Sequence, residues 1–248
     1  MNRSRTSPTQ LRLLRHLRQQ AAGQIVRYED FADLGFSVSA LASALSRLTQ
    51  SGQVQRVGKG QYRVAPAGRF GPVPPSEQQL VQSSLRRTTR DNQTYPTGNA
   101  VFNQLGLTTQ VAAEIEIATP RRKEPQRIGH VRIRFVPSQG DVKPDEVEVR
   151  QLLDALRRLK RLPASEPAAV LQQLSRKIAA LSASDKQKLV RVAKHYNPAT
   201  RALTGALLEG LQEPKLAAHL AKTLNSLTRY RLGLSAQALP NRDAWRIQ

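Results

Sequence analysis

Two glutamates have the spacing that comes nearest to a catalytic arrangement in this sequence. Glu114 and Glu116 lie in a segment of alternating polar and apolar residues, so a strand would present both carboxylates on one face. An acidic pair of this kind can hold a divalent metal ion in a nuclease. Arg132 and Arg134 alternate in the same way further along the chain, and paired strands would set these opposite charges beside each other. We therefore favour a solvated strand face with balanced charges over a catalytic pair.

The other residue types that carry chemistry form no catalytic or metal-binding pattern. No histidine lies three or four residues from another, so no helical metal-binding pair is formed; the four are His16, His130, His195 and His219. The absence of cysteine excludes thiolate zinc sites, iron–sulfur clusters and cysteine nucleophiles. Neither a phosphate-binding glycine loop nor a G-x-S-x-G nucleophile element occurs. We predict a protein that is not an enzyme and that needs no metal or cofactor.

The charge of the chain points to an anionic partner. Its 248 residues include 39 Lys and Arg against 18 Asp and Glu, a formal net charge of +21. The excess is not confined to a tail, since residues 1–65 carry ten basic and three acidic side chains and residues 146–248 carry eighteen and eight. Such a charge predicts nucleic acid as the partner before a membrane surface. No segment approaches the roughly 18 apolar residues of a transmembrane helix, and no secretory signal is apparent, so we expect a cytoplasmic protein without membrane contact.

Clusters of proline and glycine indicate where the chain divides. The densest cluster follows residue 65 and comprises Pro66, Gly68, Gly71, Pro72, Pro74 and Pro75. Such a cluster stops regular structure and is typical of a connector. We predict an N-terminal domain over residues 1–66 and a C-terminal domain over 67–248, with a mixed α/β lobe (67–145) and a helical lobe (146–248). The predicted fold class is mainly α with small β elements, that is, α+β.

The first 66 residues have the element order of a winged helix-turn-helix. The first helix begins at Pro8 behind a possible Ser7 cap, with an apolar stripe that consists of Leu11, Leu14, Leu17 and Ala21. A short strand, a short helix over 28–34 and a third helix follow. The apolar positions of the third helix are Val38, Leu41, Leu45 and Leu48. Two strands around Gly58-Lys59-Gly60 complete the unit as a hairpin, or wing.

The third helix and the wing carry the residues that we expect to face DNA. Small and hydrogen-bonding side chains on the helix allow close approach to the major groove, and basic side chains on the wing suit phosphates. In the second wing strand, Tyr62 and Val64 are expected to point inward and Gln61 and Arg63 outward. The predicted DNA-binding residues are Ser39, Ser43, Arg47, Arg56, Lys59 and Arg63. The alternative is that these helices only pack on another protein or domain.

The rest of the chain predicts a small β element followed by helices. A short helix fits residues 98–105, and the alternating segments 113–119 and 131–135 predict an antiparallel hairpin packed on it. Leucines at helical spacing then predict helices through the 146–230 region, the last of them over 215–230. The basic residues Arg157, Arg158, Lys160 and Arg161, and likewise Lys186, Lys188, Arg191 and Lys194, fit either a second nucleic-acid surface or a solvated helix face.

Four stretches together resemble the AbiEi-type antitoxins of type IV toxin–antitoxin systems, which belong to abortive-infection loci of phage defence. They occur in the same order as in that family and extend over nearly the whole chain. They are the winged-helix segment 31–62, Gly98-Asn99-Ala100 with the following 105–111, Tyr196-Asn197-Pro198 through Leu208, and Leu224 through Leu234. The chain departs from the family pattern in its long 137–185 segment and its high charge.

The resemblance implies a protein with two roles. The winged helix would bind operator repeats in the promoter of its own operon and repress it. The C-terminal domain would act as antitoxin against a nucleotidyltransferase-like toxin, with or without a direct complex. Arg201, Arg229 and Arg231 lie within the matching stretches, and the resemblance makes them candidates for antitoxin function.

Other function classes stay open at this point. The basic C-terminal lobe fits an RNA-binding protein, and the winged helix alone fits a transcriptional regulator without a toxin partner. A nuclease that uses Glu114 and Glu116 is the third class. Relative affinity for tRNA and duplex DNA would separate the first two, and a divalent-metal cleavage assay would test the third.

Overall fold

A computed structural model describes residues 7–20, 24–64, 67–68, 71–72, 93–128, 131–162 and 166–248. The chain forms two compact units, Met1–Arg87 with Arg127–Val131 and Thr88–Gln126 with Arg132–Gln248. The boundary predicted at residue 66 falls in a stretch of which only 67–68 and 71–72 are described, where β4 (Ala67–Gly68) pairs antiparallel with β5 (Gly71–Pro72). Other parts of that connector, Ala21 of the expected apolar stripe, and His130 lie outside the described residues.

The first unit begins with a helix whose start follows from its sequence. In α1 (Pro8–Gln19) the Ser7 hydroxyl accepts a hydrogen bond from the Gln10 backbone N–H at 3.3 Å, and the Ser7 N–H donates to the Gln10 side chain at 2.7 Å. This reciprocal capping box satisfies two amides that the helix leaves unpaired. The apolar stripe differs from the predicted one, because Leu11 is 53% exposed whereas Leu13 is buried with Leu14 and Leu17. A helix buries about a third of its circumference, so neighbouring leucines compete for the core.

The remaining elements of the first unit complete a winged helix. In chain order they are β1 (Val26–Arg27), a 3-10 helix (Tyr28–Leu34), α2 (Val38–Gln50), β2 (Gln55–Gly58) and β3 (Gln61–Arg63). The sheet has the order β1-β3-β2 with antiparallel pairs, so β3 is its central strand. Phe31, Leu45, Leu48 and Tyr62 are among the residues of its apolar core. Val38, predicted as a core residue of α2, is instead 75% exposed, because it occupies the first turn after Ser37.

A four-stranded sheet follows the winged helix in the sequence. Its strands are β6 (Tyr95–Thr97), β7 (Glu114–Thr119), β8 (Gln126–Ile128) and β9 (Val131–Pro137), in the order β6-β7-β9-β8, and α3 (Asn99–Gln104) lies between β6 and β7 in sequence. The predicted antiparallel hairpin of 113–119 with 131–135 is wrong, because β7 and β9 are parallel. A parallel pair needs a crossover, and the segment that contains β8 supplies it. The strand that pairs antiparallel with β7 is β6, which precedes β7 in the sequence.

The helical part of the second unit surrounds the largest apolar core of the described chain. Its helices are α4 (Val147–Arg157), α5 (Pro167–Ala179), α6 (Ala183–Ala193), α7 (Pro198–Gly210) and α8 (Pro214–Ala221), with short 3-10 segments at Pro144–Glu146 and Leu159–Arg161. The predicted helix over 215–230 is too long, since α8 ends at Ala221. The chain then turns, and the Tyr230 N–H donates to the Arg246 carbonyl at 2.8 Å, which ties this segment to the C-terminus.

The observed architecture confirms the predicted α+β class with an N-terminal winged helix and a C-terminal sheet and helical bundle. Among the described residues, no helix has the length and apolar character required to cross a membrane.

Candidate nucleic-acid interface

One face of α2 is exposed and carries the predicted contact residues. The Ser37 hydroxyl caps the helix by accepting from the Ala40 N–H at 3.2 Å. Leu41, Leu45 and Leu48 face the core. Ser39, Ser43 and Arg47 follow one another at intervals of four residues and are all exposed. Side chains four apart lie above one another on a helix, so these three form a continuous stripe with a cation at its C-terminal end.

The wing presents two exposed cations. Gly60 has a φ of +67°, a conformation that favours glycine, and it follows Lys59 at the turn between β2 and β3. Lys59 and Arg56 are exposed, and the Arg56 Nε donates to the Gly58 carbonyl at 3.3 Å. The register of the hairpin shifts between Arg56 and Gly58, which is a bulge of the kind that bends a strand end. The wing therefore carries its charge at the tip and along its outer strand.

Arg63 does not belong to this exposed set. The outward direction predicted for it is wrong, because the side chain is only 1% exposed and its Nε and Nη2 donate to the Gln55 side chain at 2.9 and 2.7 Å. Burial lowers the pKa of the Arg63 guanidinium. Gln61, also predicted to point outward, is buried as well. Both residues lie on β3, the central strand, so side chains of β1 and β2 flank them on either side.

The exposed cations of α2 and the wing form no ion pair with a described carboxylate. Among the described residues, no ion pair links Arg47, Arg56 or Lys59 to an acidic side chain. On α1, Arg12 lies over the Phe36 ring at 5.2 Å, while Arg15 is exposed. Unpaired surface cations are the groups that can replace counterions on a polyanion.

The three candidate antitoxin arginines lie on two separate segments of the second unit. Arg201 lies on α7 and is half-buried, and its Nε has no hydrogen-bond partner. Arg229 and Arg231 are exposed in the segment that follows α8, where the Arg231 carbonyl accepts from Lys160 Nζ at 3.1 Å. In the part of the chain that the structure describes, no hydrogen bond or ion pair joins Arg201 to the other two.

The carboxylates of Glu114 and Glu116 are engaged by arginines. Arg134 contacts Glu114 at 2.6 Å and Glu116 at 2.9 Å, and Arg158 contacts Glu116 at 2.7 Å. Burial acts to raise the pKa of Glu116, but the hydrogen bonds and charges of Arg158 and Arg134 outweigh it and hold the pKa below its ordinary value. The charge balance with the arginines agrees with the favoured interpretation, but Glu116 is buried and not solvated. The described residues contain no cluster of three potential metal ligands.

Arg158 is one of the basic residues that the sequence assigns either to a second nucleic-acid surface or to a solvated helix face. Its contact with Glu116 joins α4's C-terminal end to β7, across 42 positions of sequence that no local pattern relates. Lys186 and Lys188 on α6 are likewise paired, with Glu213 at 2.9 Å and with Asp145 and Asp185 at 3.1 Å. Arg191 pairs with Glu146. Four of the eight basic residues in these two groups thus pair with carboxylates, and the exposed members are Lys160, Arg161, Arg191 and Lys194.

Comparisons with other proteins place the chain by fold and by family. No curated protein matches the sequence. The solved crystal structure of the RV2827C protein from Mycobacterium tuberculosis is similar, with a TM-score of 0.51 and 17% sequence identity over 92% of this chain and 86% of that one. At this identity the likeness concerns the fold alone. A model of the family of unknown function DUF6088 matches residues 12–160, more than half of the sequence, and the protein therefore belongs to that family.

Proposed function

We propose that the protein binds duplex DNA through its winged helix and represses the promoter of its own operon. The observation that carries this proposal is the exposed stripe of Ser39, Ser43 and Arg47 on α2, which is accompanied by exposed cations on the wing. In a winged helix-turn-helix the helix at this position enters the major groove. Serine and arginine side chains can donate to base edges and phosphates there, and Lys59 and Arg56 would follow the backbone.

The antitoxin role is the second part of the proposal. It is supported by the resemblance of the four sequence stretches to AbiEi-type antitoxins, which extends from the winged helix into the C-terminal unit. The implied partner is a nucleotidyltransferase-like toxin encoded beside this protein. The test is co-expression with the neighbouring reading frame: we expect growth arrest by that protein alone and rescue by this one. An adjacent gene without nucleotidyltransferase character, or no rescue, would favour a stand-alone regulator.

The DNA-binding part is tested by the salt dependence of operator affinity. We expect Arg47→Ala with Lys59→Ala to weaken binding to the promoter fragment, and the slope of log affinity against log salt to fall by about 0.9 for each lost phosphate contact. Fluorescence anisotropy over a range of salt concentrations measures both quantities. Lys194→Ala, an exposed cation of the second unit, serves as the control for loss of net charge.

Two results would contradict this assignment. One is an unchanged slope in the double variant, which would place the contacts elsewhere. The other is an equal loss of affinity in Lys194→Ala, which would mean that the effect comes from the net charge of the chain and not from contacts of the winged helix. A folded double variant, checked by its thermal unfolding curve, is required for either conclusion.

A specific observation favours RNA binding as a second candidate. The bond between Lys160 Nζ and the Arg231 carbonyl brings two basic segments together, and Lys160, Arg161, Arg229 and Arg231 are all exposed. A cluster of cations without ion-pair partners among the described residues suits a phosphate backbone. Measurement of tRNA and duplex-DNA affinity at equal salt separates the two functions, since an RNA-binding protein would favour tRNA.

A further inference from the structure

A small polar pocket lies at one end of the β6–β7 pair in the second unit. Its volume is about 220 Å³, and its described lining consists of Gln93, Thr94, Thr119, Pro120, Arg121 and Lys123. The pocket is separate from the stripe on α2 and from the wing. These lining residues come from the segment just before β6 and from the end of β7 with the segment that follows it.

The strand register explains why two threonines meet there. Tyr95 is opposite Ala118 in the antiparallel β6–β7 ladder, and continuation of the ladder by one position sets Thr94 opposite Thr119. Both threonines are buried, at 4% and 3% exposure. They alternate with Tyr95 and Ala118, which contribute to an apolar cluster, so the threonines lie on the opposite face of the sheet.

One of the two hydroxyls has no hydrogen-bond partner among the described residues. The Thr119 hydroxyl donates to the Arg121 carbonyl at 3.2 Å and receives the Arg121 N–H at 3.4 Å, which fixes the start of the basic turn. The Thr94 hydroxyl makes no hydrogen bond although it is buried and lines the pocket. A buried polar atom without a partner is uncommon in a folded protein and requires an explanation, such as a bound group.

Two cations complete the lining. Among the described residues neither Arg121 nor Lys123 forms an ion pair, and Lys123 Nζ lies 5.8 Å from the centre of the Phe135 ring. Arginine and lysine beside hydroxyl donors form the donor set that recognises phosphate oxygens, with arginine able to bind two of them at once. The described lining contains no carboxylate that would repel an anion.

We propose that this pocket binds a phosphate group, with Arg121 and Lys123 providing charge and Thr94 providing a hydroxyl donor. Because the threonines are buried, a phosphate group that projects from its carrier can reach them, as a terminal phosphate does. The shared chemistry is that of a phosphate monoester or free phosphate. The site extends the molecule's recognition of anions beyond the winged helix and does not depend on DNA binding there.

The test is isothermal titration calorimetry of the full chain with inorganic phosphate and, in a second arm, with a nucleoside 5′-monophosphate. We expect Arg121→Gln to weaken binding about tenfold, since a hydrogen bond to a charged group is being removed. Thr94→Val keeps the shape of the side chain and removes its hydroxyl, and it should weaken binding about threefold to tenfold. Arg122→Gln is the matched control, because Arg122 is exposed, does not line the pocket and changes the net charge equally.

The outcomes divide clearly. Loss of phosphate affinity in Arg121→Gln with retention in Arg122→Gln supports the site. If the wild-type chain binds the nucleotide more tightly than inorganic phosphate, the ligand is a nucleotide, and equal affinities assign free phosphate. Absence of binding of both probes by the wild-type chain overturns the proposal, as does an equal loss in Arg122→Gln. Arg121 is exposed, so its substitution keeps the test valid if Thr94→Val fails to fold.

Discussion

The two units of this protein use their basic residues in different ways. In the winged helix, Arg47, Arg56 and Lys59 are exposed and form no ion pair with a described acidic residue. In the second unit, Arg150 and Arg158 are held by carboxylates at 2.8 and 2.7 Å. Basic residues therefore have two environments in this chain, one facing solvent, where we propose that they bind DNA, and one facing the molecule's own acidic side chains.

The contrast shows how little net charge alone says about a partner. Glu116 and Glu146, which pair with arginines in the second unit, are buried, and in the Arg150–Glu146 pair both side chains lie in the core. Breaking such a pair leaves an isolated buried charge, which is expensive. In the first unit Arg47, Arg56 and Lys59 are exposed, and charge at exposed positions influences association more than stability.

The strongest way to test this contrast is to break the most buried pair. Arg150 is 1% exposed, and it contacts Glu146 and donates to the Gln139 carbonyl at 2.9 Å and to the Asp141 carbonyl. We expect Arg150→Ala to lower the free energy of unfolding by about 3–5 kcal/mol, since Glu146 would stay buried with less compensation. Urea unfolding measures the change.

Arg161→Ala is the control for this experiment. Arg161 is exposed and makes no side-chain contact that the structure records, so we expect a change within about 0.5 kcal/mol. Equal destabilisation by the two substitutions would mean that the basic residues of the second unit are not divided into buried and surface sets as described.

A sharper comparison lies within the wing itself, between Arg63 and Arg56. Arg63 is buried and bonded to Gln55, so Arg63→Ala should lower the free energy of unfolding by about 1–3 kcal/mol and leave the salt slope of DNA binding unchanged. Arg56 is exposed, so Arg56→Ala should change stability by less than about 0.5 kcal/mol and reduce the salt slope by about 0.9.

Urea unfolding and anisotropy titrations on the same two preparations give all four values. If Arg63→Ala reduced the salt slope as much as Arg56→Ala does, the burial of Arg63 would not describe the DNA-binding form of the protein.

The smallest expected effect is a loss of folding stability at acidic pH. The pKa values of Glu116 and Glu146 are held below the ordinary 4.5 by arginines, despite burial. A carboxylate with a depressed folded-state pKa stabilises the fold above its unfolded pKa, and that contribution is lost as the pH falls from about 4.5 through the lower folded value. The second unit should therefore lose stability over this range.

Glu116→Gln isolates one contribution to this acid dependence. The variant should show a shallower decrease of unfolding free energy between neutral pH and pH 3, whereas Glu148→Gln at an exposed position should follow the wild-type profile. A Glu116→Gln profile parallel to that of the wild-type chain would show that the Arg158 and Arg134 pairs are not the source of the effect.

Local patterns in the sequence were sufficient for the helices of the first unit and for the exposed face of α2. The serine before Pro8 caps α1, and the spacing of Leu41, Leu45 and Leu48 sets the buried face of α2. Both features depend on contacts within a few residues, so the sequence predicted the start of α1 and these three core positions of α2. The exposed direction of Ser39, Ser43 and Arg47 follows from the same periodicity. Leu11 and Val38 were misassigned because periodicity locates an apolar stripe only to within a neighbouring position.

Contacts between distant segments decided the rest. The burial of Arg63 depends on β3 being the central strand, and the parallel arrangement of β7 and β9 depends on where β8 is placed. The engagement of Arg158 by Glu116, and the meeting of Thr94 with Thr119, bring together residues that are separated by a whole strand or helix. An arginine looks the same in a sequence whether it faces water or a buried carboxylate, because its environment is a property of the packed chain and not of its neighbours in sequence.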